Sequence, residues 1–135
     1  MNQSKSISFF QYQLPAIAWA VFIFTVSSIP QAKLINLIDN TDKLVHGGVF
    51  MILCWLLHVA FRFSGNEKLM RNSLWLAVVT TSFFGMSDEF HQHFTPGRSV
   101  DFFDWLSDTT GAMVYFFIYS RYKFYEWFQN AKEHS

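Results

Sequence analysis

A polar stretch between two apolar segments, Ser87–Gly111, holds most of the side chains that could do chemistry. Carboxylates, imidazoles and one guanidinium lie along it within a few residues of one another, and such groups transfer protons, bind cations or hold anions. If the flanking segments are membrane helices, ionisable residues at their ends are costly, and a functional site is the default hypothesis. The residues are Asp88, Glu89, His91, Gln92, His93, Arg98, Asp101, Asp104 and Asp108.

Helical spacing pairs several of these groups with one another and with a second polar stretch near residue 42. Residues at i and i+4 share one face of a helix, and a carboxylate one turn from an imidazole can orient and charge it. A general base or a metal ligand needs that arrangement. We therefore predict Asp88, Glu89 and His46 as acid–base candidates. The i, i+4 pairs are Asp42 with His46, Asp88 with Gln92, and Glu89 with His93.

Metal binding is a weaker interpretation of the same residues. Glu89 and His93, completed by His46 or His91, have donor types that zinc accepts. However, the segment EFHQH carries no metalloprotease signature, and the single cysteine, Cys54, cannot build a site of several thiolates. We predict no metal site from the sequence. The sequence does not identify a cofactor.

Ligand contacts are predicted for the remaining polar groups. Arg98 cannot lose its proton and presents a planar fork of donors, so it is predicted to pair with a carboxylate or to hold an anionic group of a ligand. Many carboxylates in a poorly solvated place require protons or a cation to compensate their charge. The alternative is a polar network that only fixes the helix ends. The predicted binding residues are Asp42, Lys43, Gln92, Arg98, Asp101, Asp104 and Asp108.

The composition indicates that membrane helices position these groups. The 135 residues include 17 Phe, and only 15% of residues are charged, whereas soluble domains carry about 25%. The charges are gathered into a few patches between long apolar runs, which favours a polytopic membrane protein. The formal net charge of zero argues against nucleic acid as a partner, because phosphate binding needs clustered Lys and Arg.

We predict an all-α, four-helix transmembrane bundle in a single domain, with spans at approximately 9–28, 44–63, 72–94 and 101–122. A short interfacial helix is expected at Gln31–Asn40, between spans one and two, with a loop packed onto the bundle as the alternative. The first span is expected to be retained, because no clear small-residue cleavage site follows it. The apolar part of span three, Leu74–Met86, is too short to cross a bilayer, so its helix must continue to about His93. If span four begins near Ser99, then Asp101, Asp104 and Asp108 share one of its faces.

The placement of Lys and Arg predicts the orientation. Both termini and the loop between spans two and three hold most of the basic residues. The positive-inside rule therefore predicts a protein of the inner membrane with both termini in the cytoplasm. Asp42, Lys43 and His46 then share the outer face with the Ser87–Gly111 stretch. The inner-side residues are Lys5, Arg62, Lys68, Arg71, Arg121, Lys123 and Lys132; the outer-side residues are Lys33, Lys43 and Arg98.

A set of short motifs resembles the VanZ-like family, whose founding member is associated with teicoplanin resistance. The resemblance covers most of the chain and implies a small multi-pass bacterial membrane protein. It implies no particular reaction. The motifs are Ser27-Ser28-x-Pro30, Asp42-Lys43-x-x-His46, Asp88-Glu89-x-x-Gln92-x-Phe94, Pro96-Gly97-Arg98 and Asp101-x-x-Asp104, with Gly111 beyond.

Three functions are compatible with these residues. In the first, an extracytoplasmic polar site binds a cell-envelope component, lipid-linked or glycopeptide in nature, from within the lipid bilayer. In the second, an intramembrane enzyme acts on a lipid-linked envelope substrate by acid–base or metal-assisted chemistry, with Asp88 or Glu89 working with His46 while Arg98 stabilises negative charge. In the third, the carboxylates relay protons or cations across the membrane.

Overall fold

The computed structural model describes residues 9–30 and 42–133, with side chains described for 9–30 and 43–126. Throughout this part of the chain the regular structure is helical and contains no strand, so the all-α prediction is confirmed. The predicted interfacial helix at Gln31–Asn40 lies outside the described residues. A π-helical turn, Phe9–Gln13, leads into α1 (Leu14–Ser27), followed by α2 (Asp42–Arg62), α3 (Glu67–Arg71), α4 (Ser73–Gln92) and α5 (Phe102–Glu133).

Helix α2 lies at the centre and contacts α1, α4 and α5. Phe50 and Cys54 of α2 are fully buried in the core. Small residues let α5 approach α2 closely, as they do in many membrane bundles. A Cβ atom on Gly111 would lie only 2.0 Å from the carbonyl oxygen of Gly47, so the contact between these helices requires glycine at this point.

The turn between α4 and α5 follows from its sequence. Helix α4 continues through its polar residues to Gln92, with His93 as its C-cap, as the length argument predicted. Gly97 has a φ of 79°, a left-handed conformation that glycine adopts without strain. Helix α5 begins at Phe102, so the prediction that Asp101 lies within this helix is wrong. Instead, Asp101 caps the helix, because its Oδ1 accepts a hydrogen bond from the N–H of Phe103 at 2.8 Å.

Two helices, Phe9–Ser27 and Lys43–Arg62, are long and apolar enough to cross a membrane by length and composition. Helix α4 has 20 residues, a length of about 30 Å. Helix α5 has 32 residues and extends well beyond the length of a single span.

Carboxylates and histidines collect at one end of the bundle, which we call the polar end, and a cluster of basic residues lies at the other, the basic end. The polar end is formed by the last turns of α1 and α4, the first turns of α2 and α5, and the loop at residues 93–101. The basic end contains the C-terminus of α2 and α3, with Arg62, Lys68 and Arg71. Because helix α2 runs from the polar end to the basic end, the two groups of residues are separated by the length of a helix.

Candidate functional site

Side chains from four helices meet at the polar end. The helix ends bring His46 and Lys43 of α2 next to residues that are about sixty positions later in the chain. The side chain of Asp42 lies outside the described residues. The predicted site residues that the structure brings to this end are His46, Lys43, Asp88, Glu89, Gln92, Arg98, Asp101, Asp104 and Asp108.

Asp88 is the centre of one hydrogen-bonded group. Its side chain is only 3% exposed. Oδ2 accepts hydrogen bonds from Ser27 Oγ at 2.6 Å and from Gln92 Nε2 at 3.0 Å. Oδ1 is buried and has no hydrogen-bond partner among the described residues, so Asp88 has an unused acceptor.

Arg98 continues this group into the loop. Its Nη1 donates to Gln92 Oε1 at 3.5 Å, and its Nε donates to the carbonyl oxygen of Ile29 at 3.4 Å. Both bonds are long and both acceptors are uncharged. The guanidinium therefore keeps the capacity to bind an anionic group.

A cavity of about 240 Å³ opens between α1, α2 and α4 beside these residues. Six of its lining residues are apolar and five are polar. Such a lining suits an amphipathic molecule whose polar group lies against Asp88, Gln92 and Arg98. The apolar lining residues are Phe22, Ile23, Val26, Val45, Val49 and Phe50, and the polar ones are Ser27, His46, Asp88, Gln92 and Arg98.

A second group lies deeper in the bundle. Asp108 is fully buried, and its Oδ1 lies 3.1 Å from His46 Nδ1. Glu89 Oε2 accepts a hydrogen bond from the N–H of Asp101 at 2.9 Å. Gly85 makes room for Asp108, because a Cβ atom at Gly85 would lie 2.9 Å from Asp108 Oδ2.

Lys43 belongs to a more exposed layer. Its Nζ donates to Asp101 Oδ2 at 3.0 Å and to Asp104 Oδ1 at 2.6 Å, so this predicted binding residue is already paired with two carboxylates. The N–H of Phe103 and the Lys43 ammonium hold the pKa of Asp101, in the loop before α5, below its ordinary value.

His91 and His93 do not join the deeper group. His91 Nε2 lies 2.9 Å from Ser28 Oγ, and its ring stacks on Phe24. His93 is exposed, and its ring meets the edge of Phe94. The structure therefore does not pair the side chains of Glu89 and His93, because the Glu89 carboxylate is buried and accepts from the N–H of Asp101, whereas His93 is exposed.

Two contributors to the site were not among the predicted residues. Ser27 donates a hydrogen bond to Asp88, and Gly85 leaves the space that the Asp108 side chain occupies. Ser27 stands in the Ser-Ser-x-Pro motif, which was the available signal. For Gly85 the sequence offered none, since its role depends on the neighbouring helix.

Comparison with known proteins gives a family match. The family model described as VanZ/LLP1 matches residues 3–125, a range that contains every residue of the polar end. Neither the curated proteins nor the solved structures contain a match.

Proposed function

Since the chain belongs to the VanZ/LLP1 family, a family of membrane proteins, we propose that it crosses the bacterial inner membrane four times with both termini in the cytoplasm. We further propose that it binds an amphipathic cell-envelope molecule in the cavity at its outer, polar end. The cavity, whose lining combines apolar side chains with Asp88, Gln92 and Arg98, is the observation that carries this proposal.

Four spans are supported by what α4 and α5 expose. Trp75 and Phe83 of α4 are 58% and 61% exposed, and Phe117 and Ile118 of α5 are 63% and 59% exposed. Large apolar side chains turned outward on both helices are stable against lipid chains. The positive-inside rule then places the basic end, which includes Arg62, in the cytoplasm and the polar end outside.

The size of the cavity defines how a ligand would sit. Pockets for whole drug-sized ligands measure about 300–1,000 Å³, and this cavity measures about 240 Å³. It therefore accepts one part of a larger molecule, an apolar chain together with the polar group next to it. The rest of the ligand lies in the bilayer or in the water outside.

The polar lining residues of the cavity specify the polar group of the ligand. Asp88 Oδ1 needs a donor, which a ligand hydroxyl or amine supplies. Arg98 is bonded to uncharged acceptors and attracts a phosphate or carboxylate. Lipid-linked sugar phosphates and lipophilic glycopeptides such as teicoplanin combine these features, and binding either of them would connect the site to glycopeptide resistance.

The unpartnered Asp88 oxygen also favours a second candidate function, an acid–base enzyme acting on a lipid-linked envelope substrate. Asp88 and His46 both line the cavity, so a bound substrate could reach both groups. Asp88→Asn separates the candidates, since an enzyme would still bind the substrate and lose turnover, whereas a binding site would lose affinity.

Teicoplanin susceptibility in a sensitive bacterial host tests the first proposal. The parent protein, Asp88→Asn and Arg98→Gln are compared at matched membrane levels, with Lys123→Gln as the control because that residue lies in the second half of α5, away from the cavity. We expect protection by the parent and by Lys123→Gln, and loss of protection in the two cavity variants. Equal protection by all four proteins would contradict a role of the cavity.

A further inference from the structure

Three side chains from three different helices converge next to the cavity, and one of them lines it. His46 comes from α2, Glu89 from α4 and Asp108 from α5. One donor atom of each lies within 4.8 Å of the others, and among the described residues this is the one group of three His, Cys, Asp or Glu side chains that does so. Glu89 is 4% exposed and Asp108 is fully buried.

Two carboxylate oxygens in this group accept no hydrogen bond from the described part of the chain. Glu89 Oε1 and Asp108 Oδ2 are buried and have no hydrogen-bond partner in the described part of the chain. A buried carboxylate oxygen without a donor or a cation is costly. Lys43, the nearby ammonium, is held by Asp101 and Asp104 instead. These two buried acceptors are a second observation, independent of the clustering, and they favour a bound cation.

We propose that His46, Glu89 and Asp108 bind one divalent transition-metal cation such as Zn²⁺. One imidazole nitrogen with two carboxylate oxygens is a donor set for zinc or manganese, whereas calcium and magnesium take oxygen donors alone. With three protein ligands, zinc keeps its fourth position for water or a ligand.

The spacing is compatible with this assignment. Two ligands about 2.1 Å from zinc at the tetrahedral angle lie about 3.4 Å apart, and His46 Nδ1 is already 3.1 Å from Asp108 Oδ1. Two donor atoms of the triad that lie 4.8 Å apart, the upper limit of the distances within the group, would have to move about 1.4 Å closer together to reach that separation. The ion takes the place of the proton between His46 Nδ1 and the Asp108 carboxylate, which offers the unpartnered Oδ2 as well as Oδ1. The imidazole keeps its proton on Nε2.

This inference does not depend on what the cavity binds, because the triad shares only His46 with the cavity lining. Metal content is therefore a readout that can succeed or fail separately from drug susceptibility.

The test uses the full chain in detergent, purified without a polyhistidine tag, stripped with a chelator and then incubated with Zn²⁺. After desalting, we expect about one zinc ion per wild-type chain, and a decrease of about tenfold or more in Glu89→Gln and Asp108→Asn. His93→Gln, which removes an exposed histidine close to the same site, is the control and should retain the wild-type amount. Zinc retained in Asp108→Asn, or lost in His93→Gln, overturns the assignment, as does a wild-type chain that retains none.

X-ray absorption at the zinc edge decides the question even if the triad variants do not fold. The wild-type spectrum should show one imidazole together with oxygen donors. A spectrum with no imidazole, or with two or more, would overturn the assignment.

Discussion

Replacing Gly85 by alanine is the sharpest perturbation of the packing beneath the polar end. The added methyl group would lie 2.9 Å from Asp108 Oδ2, 3.2 Å from Asp108 Cβ and 3.3 Å from Phe50 Cε1. Neither neighbour can move freely, because Asp108 and Phe50 are both buried and Asp108 is bonded to His46. Forcing extra volume into such a site costs about 1–3 kcal/mol.

A matched control isolates that cost. Gly48 also lies within a helix, and a Cβ atom there would meet nothing within 4 Å. Alanine is favoured over glycine by about 1 kcal/mol in a helix, and this gain applies to both positions and cancels between them. The free energy of unfolding should therefore be lower in Gly85→Ala than in Gly48→Ala by the steric cost alone, about 1–3 kcal/mol.

The assay is reversible unfolding in mixed detergent–dodecyl sulfate micelles, followed by tryptophan fluorescence and circular dichroism. Retained zinc should decrease in Gly85→Ala as well, since the displaced Asp108 is one of the proposed ligands. Unfolding free energies of the two variants that agree within about 0.5 kcal/mol, the spread of neutral substitutions, would refute the packing described for Gly85.

Three further predictions concern the rest of the molecule. Gly111→Ala would place a methyl group 2.0 Å from the Gly47 carbonyl oxygen, so the variant should fail to accumulate in membranes, as measured by immunoblotting. Ser27→Ala removes the 2.6 Å hydrogen bond to buried Asp88 and should lower the unfolding free energy by about 1.5–3 kcal/mol; Ser28→Ala, at an exposed position, should cost less in the same titration. A reporter enzyme active only outside the cytoplasm should be active when inserted in the loop before α5 and inactive in the loop between α2 and α3, and the reverse result would contradict the orientation.

Much of the arrangement of the polar end could be predicted because the length of a membrane span and helical geometry constrain a short chain. The shortness of the apolar part of span three required α4 to continue through Asp88, and the structure ends this helix at Gln92. The distribution of basic residues predicted that His46 would lie on the side of Asp108, and these two side chains are in contact. Both inferences rest on the length and direction of helices, which are properties of single segments.

What was missed depends on the neighbours of each helix. Spacing along α4 gives the face on which a residue lies but not the partner opposite it, so Ser27 was not predicted as the donor to Asp88. The i, i+4 rule paired Glu89 with His93, but it does not show which way each side chain turns: Glu89 is buried against the N–H of Asp101, and His93 is exposed. Asp101 was placed in α5, although an aspartate directly before an apolar run is also a typical N-cap, and that is its role.

The central claim, that the cavity at the polar end is a ligand site, is tested most directly by filling it. Val26 lines the cavity, whereas Val114 is exposed on α5 and does not, so Val26→Phe and Val114→Phe are a matched pair. Binding of fluorescently labelled teicoplanin and of a lipid-linked sugar pyrophosphate is measured in nanodiscs, with empty nanodiscs as the background. We predict saturable binding of at least one probe to the wild type and to Val114→Phe, and its loss in Val26→Phe. Undiminished binding in Val26→Phe, or no binding of either probe above background, would contradict the account.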